Sequence, residues 1–364
     1  MGAHDTGEAA SEQQGKAYAA RLWQYKQAET VALMLHVGRR LGLFEFMAGA
    51  GPLTAAELAA KSGLHERWLL EWMRLQAAAR VLDFVPGDGD EERFELPAMG
   101  AELLGDAASR SYMLDNFDGG ESPERIEHLL ESFRTGIGRT YEDAGPEGAR
   151  RGEARHWRAA RNQVVPVMIP ALDGVAEKLE RGALVADIGC GDGAVVLAMA
   201  EAWPNSTFHA SDPSRHAVER VREVADDMGL TNVEVVQASG EDFPRGGAYD
   251  LVVTFDCIHD MTRPEAVIAA IRGGLKPDGT WFIKDIRSKP RFEDNLRNPM
   301  LAMMYGFSLM ACMSSAMSEP DGAGLGTLGF NPDVAERMSR DAGFTRFLMH
   351  DFRDPGNLYY EVRP

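Results

Sequence analysis

The sequence predicts an α/β protein: a seven-stranded, doubly wound sheet preceded by a smaller, mostly helical domain. Three observations carry that expectation. From residue 183 onward, apolar runs suited to buried strands alternate with helical stretches, and alternation at this spacing builds a mostly parallel sheet. The first run, Val185–Ile188, ends in a glycine-rich bend, Gly189-Cys190-Gly191-Asp192-Gly193, and a helical run, Ala194–Ala202, follows. The chain has 364 residues, more than one ordinary core accommodates, so two domains are the natural division.

Residues 1–16 are polar and are expected to form a disordered tail. From Ala17 to Met47, Leu22, Tyr25, Val31, Leu35, Val37 and Leu41 recur at mixed three and four spacing, the mark of a helix. Thr54 with Glu57 forms a capping box that starts a short helix. His65–Ala79 is a longer helix with Trp68, Leu69, Trp72 and Leu75 on its apolar side. Val81–Val85 and Arg93–Leu96 flank Pro86-Gly87-Asp88-Gly89-Asp90 and form a hairpin. Helices followed by a hairpin over residues 17–110 make a winged helix.

Charge opposes a DNA-binding reading of that domain. Residues 1–110 carry 11 Lys/Arg against 16 Asp/Glu, and the helix 65–79 with the following Arg80 sets Arg67, Arg74 and Arg80 against Glu66 and Glu71. The whole chain has a net charge of −18, a surface that repels nucleic acid and acidic membranes. Three cysteines without tight spacing predict neither a disulfide framework nor a zinc site. No signal peptide and no apolar run of spanning length is evident, so a reduced, cytoplasmic location is expected.

Residues 111–165 form a helical connecting region, and 166–364 the α/β domain. Its strands are expected at 183–188, 207–212, 233–238, 249–255 and 279–286, with a closing hairpin of 344–350 and 357–362 around Asp354–Asn357. An insertion at 288–330 holds a methionine-rich stretch, Asn298–Met317, and a glycine-rich loop, Gly322–Gly329. A helix with such thioether side chains packs internally or lines an adaptable apolar pocket.

The glycine bend lets backbone approach a cofactor, and Phe208–Asp212 places an acid about one βαβ unit further on, suited to ribose hydroxyls. Gly189-x-Gly191-x-x-Ala194 alone also fits a dinucleotide fingerprint, which keeps an NAD-binding oxidoreductase as an alternative. With Asp187 included, the bend reads D-x-G-x-G-x-G and resembles motif I of class I S-adenosylmethionine (SAM) methyltransferases, a Rossmann-like fold. Gly274–Thr280 resembles the turn before that family's fifth strand, and Ile258-His259-Asp260-Met261 resembles the L-H-D-W segment of small-molecule O-methyltransferases with an N-terminal winged-helix dimerisation domain. Some such chains are labelled transcriptional regulators, a second alternative function.

The resemblance implies SAM as cofactor, S-adenosyl-L-homocysteine as product, a small apolar or aromatic acceptor and a homodimer joined through the N-terminal domain. Asp187, Gly189 and Gly191 are then expected at the methionine part and Asp212 at the ribose. Ser239, Gly240, Glu241, Asp242, Phe243 and Phe255 would complete the cofactor site, with Phe243 stacking. His259 is implied as general base, apt because imidazole titrates near neutrality. The family's orienting glutamate has no counterpart in Gly326–Pro332, so Asp260 or Asp285 would orient the ring. Tyr141, His156, Trp157, Met300, Met303, Met304 and Phe307 are expected around the substrate. The resemblance extends to C-methyltransferases of 2-oxo acids that hold a metal with the His-Asp pair and a later histidine; no histidine lies between His259 and His350 here, so no metal is expected.

Overall fold

The computed structural model describes residues 3–86, 91–117 and 119–364, with side chains from residue 13. It divides into two compact units, Met1–Glu121 and Ser122–Pro364. The division falls within the connecting region of the sequence, most of which therefore lies in the second unit.

In the first unit a helix runs from Ala3 to Arg40, followed by helices at Leu43–Met47, Ala55–Ser62 and Glu66–Ala78. The expectation of a disordered tail is corrected from Ala3 on, where Ala, Glu and Gln are good helix formers. The capping box at Thr54 is formed: its hydroxyl accepts from Glu57 N at 3.1 Å, and its own N–H donates to Glu57 Oε2 at 2.8 Å. Strands β1 (Asp83–Pro86) and β2 (Glu92–Glu95) pair antiparallel with Phe84 opposite Phe94. The tip of the expected hairpin, residues 87–90, lies outside the described residues. Phe44, Leu58, Met73 and Phe94 are fully buried, and Phe44 meets Trp72 edge-on at 5.3 Å. Helical phase decides which tryptophan is core. Leu69, Trp72, Met73 and Gln76 share the buried face, while Trp68 is 79% exposed, contrary to its expected place on the apolar side.

The second unit is built on seven strands: β3 (Leu184–Ile188), β4 (Thr207–Asp212), β5 (Val233–Gln237), β6 (Tyr249–Phe255), β7 (Leu275–Ile286), β8 (Arg346–His350) and β9 (Asn357–Arg363). Their order is β5-β4-β3-β6-β7-β9-β8, all neighbours being parallel except at β9, which runs antiparallel to both β7 and β8. The alternation of β3 feeds two cores. Val185 joins the helices 194–202 and 215–227 on one face, and Ala186 and Ile188 join the helices 264–274 and 332–341 on the other. No helix among the described residues is long and apolar enough to cross a membrane.

The chain order reverses between β3 and β6, and this topological switch point opens a crevice at the carboxyl ends of the strands. Two segments add to that end of the sheet. Residues 136–144 dock on the insertion, with Gly138 N donating to Met317 O at 2.8 Å and Arg139 N to Ser314 Oγ at 2.8 Å. The insertion is helical at Leu301–Phe307 and Met313–Ala316, joined by a widened turn at Ser308–Cys312.

Candidate active site

The turn after β3 is shaped by steric necessity. Gly189 has φ +70°, and a Cβ there would lie 2.9 Å from Cys257 Cβ on the loop after β6. Only glycine allows the two turns to meet so closely. Gly191 has φ +54°, and a Cβ there would meet nothing within 4 Å, so its backbone faces open space. The bend is tied to β4: Gly189 N and Cys190 N both donate to Ser211 O, and Gly191 N donates to Asp212 Oδ2 at 3.0 Å.

Acids crowd this turn. Asp187 is buried, and burial, then Asp212 and Asp192, push its carboxyl up to about 8. Burial also raises Asp212, partly offset by the N–H groups of Ser214 and Gly191. Such a turn suits a ligand that brings positive charge, which would return Asp187 to its ionised form.

Further along the same edge, Ser239 caps the short turn Gly240–Asp242 by accepting from Glu241 N at 3.3 Å. A Cβ at Gly240 would press on Val267 and Ile188, both buried. Glu241 faces Arg263 at 3.4 Å, and Asp242 is exposed. Phe255 ends β6 and packs edge-on against Phe282 at 5.4 Å. Phe243 is corrected. Its ring is buried against Tyr249 at 4.7 Å, and Tyr249 opens β6, so the ring belongs to the opposite end of the sheet and cannot stack on a ligand at the carboxyl edge.

Across the crevice the loop after β6 carries His259, only 1% exposed. Its Nδ1 pairs with Asp285 Oδ1 on β7 at 2.7 Å, and its Nε2 faces Asp260 Oδ1 at 3.2 Å. Burial works against the imidazolium, but the Asp285 and Asp260 carboxylates outweigh it and hold the ring well above its ordinary pKa. Asp285 is the acid that orients the ring; Asp260 stands at the other nitrogen. Tyr141 reaches this cluster, its ring half exposed and its hydroxyl donating inward to Asp260 Oδ2 at 2.8 Å.

The other expected pocket residues are distributed differently. His156 Nδ1 meets Asp192 Oδ2 at 2.5 Å and so braces the glycine turn rather than the His259 cluster. Trp157 packs on the first core under Arg161, whose guanidinium lies 4.7 Å from the ring. A cavity of about 320 Å³ is lined by Tyr305, Ser308, Leu309 and Met313 from the insertion, facing Leu325 and Leu328. Met300, Met303 and Phe307 are half exposed and do not line it, and Met304 Sδ accepts from Asn298 at 3.4 Å. Helical phase is the reason: 305, 308, 309 and 313 share a helical face that 300, 303 and 307 do not. Cys312 was not anticipated here; its thiol lies within 4.8 Å of a ligand atom of His259 and of Asp260.

A crevice at the switch point thus carries an acid-lined glycine turn on one side and a buried histidine on the other. Comparison with known proteins finds a methyltransferase domain and a winged-helix domain in this chain. Residues 185–279 match the family described as "Methyltransferase domain" and residues 29–105 the "Rv2258c-like winged HTH domain". The mitomycin biosynthesis 6-O-methyltransferase of Streptomyces lavendulae is 28% identical over 273 residues, 70% of this chain and 73% of that one. (S)-tetrahydroprotoberberine N-methyltransferase of Eschscholzia californica is 27% identical over 112 residues, 31% of this chain; the chain spans about a third (32%) of the length of that relative. Among solved structures, the mitomycin 7-O-methyltransferase covers 98% of this chain and 99% of its own at 21% identity and a TM-score of 0.65. Human N-acetylserotonin methyltransferase in complex with SAM covers 95% and 97% at 18% identity and 0.63. Both share the fold across both units.

Proposed function

We propose that the protein moves the methyl group of SAM to an oxygen of a small apolar or aromatic acceptor, working as a homodimer joined through its N-terminal unit. The observation that carries the reading is the acid-lined glycine turn facing the buried His259–Asp285 pair across one crevice. The O-methyltransferase relative that matches most of this chain supports the choice of oxygen.

When bound, SAM supplies the methyl group, its S–C bond breaking as the acceptor O–C bond forms. The chain's own residues do the rest. Asp187, with the backbone of Gly189 and Gly191, receives the cationic methionine part, and Asp212 keeps acceptor capacity for ribose hydroxyls. Ser239, Gly240, Glu241 and Asp242 border the adenine end, and Phe255 closes the floor. At the acceptor end, His259 takes the proton of the hydroxyl once its own second proton, which Asp285 and Asp260 hold on the ring, has left; Asp285 then fixes its tautomer and stabilises the charge it regains. The cavity at Tyr305–Met313, which Lys289, Asn295 and Asn331 also line, takes the acceptor's body.

Calorimetric titration with S-adenosyl-L-homocysteine is the first test, and absence of binding at millimolar ligand sinks the reading. Incubation of a metabolite extract with methyl-labelled SAM then identifies the acceptor. His259→Ala is expected to lower turnover roughly 10²–10⁴-fold while leaving homocysteine-adduct affinity unchanged; unchanged turnover retires the base.

One observation favours a second reading: the winged helix-turn-helix match suits a transcriptional regulator. The acidic balance of residues 1–110 weighs against it. A sequence-specific, salt-sensitive gel shift establishes DNA binding; the expected result is none. NAD in place of the homocysteine adduct in the calorimeter tests the oxidoreductase alternative.

A further inference from the structure

The cluster around His259 has more polar capacity than its hydrogen bonds use. Asp260 Oδ1 and Asp285 Oδ2 are buried, and neither has a hydrogen-bond partner. Two buried carboxylate oxygens without a donor are costly, and the protein supplies a partner to neither. Cys312 arrives from the insertion, and one ligand atom each of His259, Asp260 and Cys312 lie within 4.8 Å of one another.

We propose that His259 Nε2, Asp260 Oδ1 and Cys312 Sγ form a binding site for a divalent cation of the zinc type. The nitrogen–oxygen separation of 3.2 Å is already close to the ~3.3 Å that two ligands ~2.0 Å from a tetrahedral zinc ion would show. The surroundings have the form that metal-bound histidines need. Asp285 holds Nδ1 at 2.7 Å, which directs Nε2 to the ion, and the Tyr141 hydroxyl holds the second oxygen of Asp260 at 2.8 Å, leaving Oδ1 free to ligate. A nitrogen, an oxygen and a sulfur ligand suit zinc; on ligation the Cys312 thiol gives its proton to solvent, and the ion stands where an imidazolium proton would otherwise face Asp260 and Asp285. Three protein ligands leave a fourth position open, as in catalytic rather than structural zinc sites.

This site deepens the methyltransferase reading in one respect only. An ion held there would leave a fourth position open and would occupy His259 Nε2, so that nitrogen serves either as the proton acceptor of the proposed reaction or as a ligand. Cation binding itself does not depend on that reading.

The test uses the full-length protein stripped with a chelator and titrated with Co²⁺, while S-adenosyl-L-homocysteine binding is followed on the same samples. One Co²⁺ per chain is expected, with a near-ultraviolet thiolate-to-cobalt band. Cys312→Ser and Cys312→Ala remove the band, Asp260→Asn weakens uptake about tenfold or more, and adduct affinity stays within about twofold in all three. Circular dichroism shows which variants are folded, and Zn²⁺ displaces the Co²⁺. Absence of stoichiometric uptake by the wild-type chain overturns the proposal and leaves a bare His–Asp–Asp triad. A band that survives in a folded Cys312 variant also overturns it. Cobalt uptake without adduct binding sustains the metal site and removes the methyltransferase reading instead.

Discussion

At the scale of single residues, the glycine turn is governed by two opposed demands: close backbone approach and a concentration of buried acid. Asp187 illustrates the second. Its carboxyl is pushed up to about 8, whereas in the unfolded chain it titrates near ~3.9. The folded state therefore keeps a proton that the unfolded state has lost, and this residue's contribution to stability falls as pH rises from about 4 to about 8. Asp187→Asn is expected to gain stability relative to the wild type across that window in urea titrations without ligand. It should also weaken S-adenosyl-L-homocysteine binding about tenfold or more through loss of a charged partner. A wild-type-to-variant gap that does not change with pH contradicts the assignment. Gly189 illustrates the first demand. Gly189→Ala combines φ +70° with a 2.9 Å approach to Cys257 Cβ and should cost ~1–3 kcal/mol by denaturant titration. Both residues were legible in the sequence, because a strand ending in D-x-G-x-G-x-G needs no distant partner to be noticed.

At the scale of elements, the insertion and segment 136–144 act together. Tyr141 joins them to the loop after β6 through Asp260, and Gly138 and Arg139 bond to residues 314–317. Tyr141→Phe removes that hydroxyl, and amide exchange over residues 138–144 is expected to speed up about tenfold, as loss of a hydrogen bond to a charged group implies. Unchanged exchange means that the backbone bonds alone hold the segment. The methionine-rich stretch was recognised as an element, and the residues of it that line a cavity are other than those named from the sequence. The cavity takes Tyr305, Ser308, Leu309 and Met313, while Met300, Met303 and Phe307 are half exposed and do not line it. Composition marked the helix, and only its rotation about its own axis, set by neighbours distant in sequence, chose the lining. The same holds for Trp68 and Trp72 in the first unit, where Phe44 selects one tryptophan as core.

At the scale of the whole molecule, the first helix exposes Tyr18, Leu22, Trp23 and Tyr25, a run of large apolar side chains suited to a second copy of the chain. Sedimentation velocity is expected to show a dimer, and Leu22→Asp with Trp23→Asp together to yield monomers that still bind S-adenosyl-L-homocysteine. A wild-type monomer at micromolar concentration defeats the dimer.

The order of strands and helices, the capping box, the glycine turn and the acid after β4 follow from the sequence by itself, because each rests on local periodicity or on contacts within one βαβ unit. The partners of His259 follow only in part: Asp260 and Asp285 are expected as alternatives, and neither Tyr141 nor Cys312 is linked to them. Asp285 comes from the next strand, Tyr141 from a segment more than a hundred residues earlier, and Cys312 from a widened turn in the insertion. No spacing rule links these positions. Only the stacking of parallel strands, which brings successive carboxyl ends to one edge, and the docking of the insertion over that edge place a carboxylate on each side of one buried imidazole and a thiol beside it.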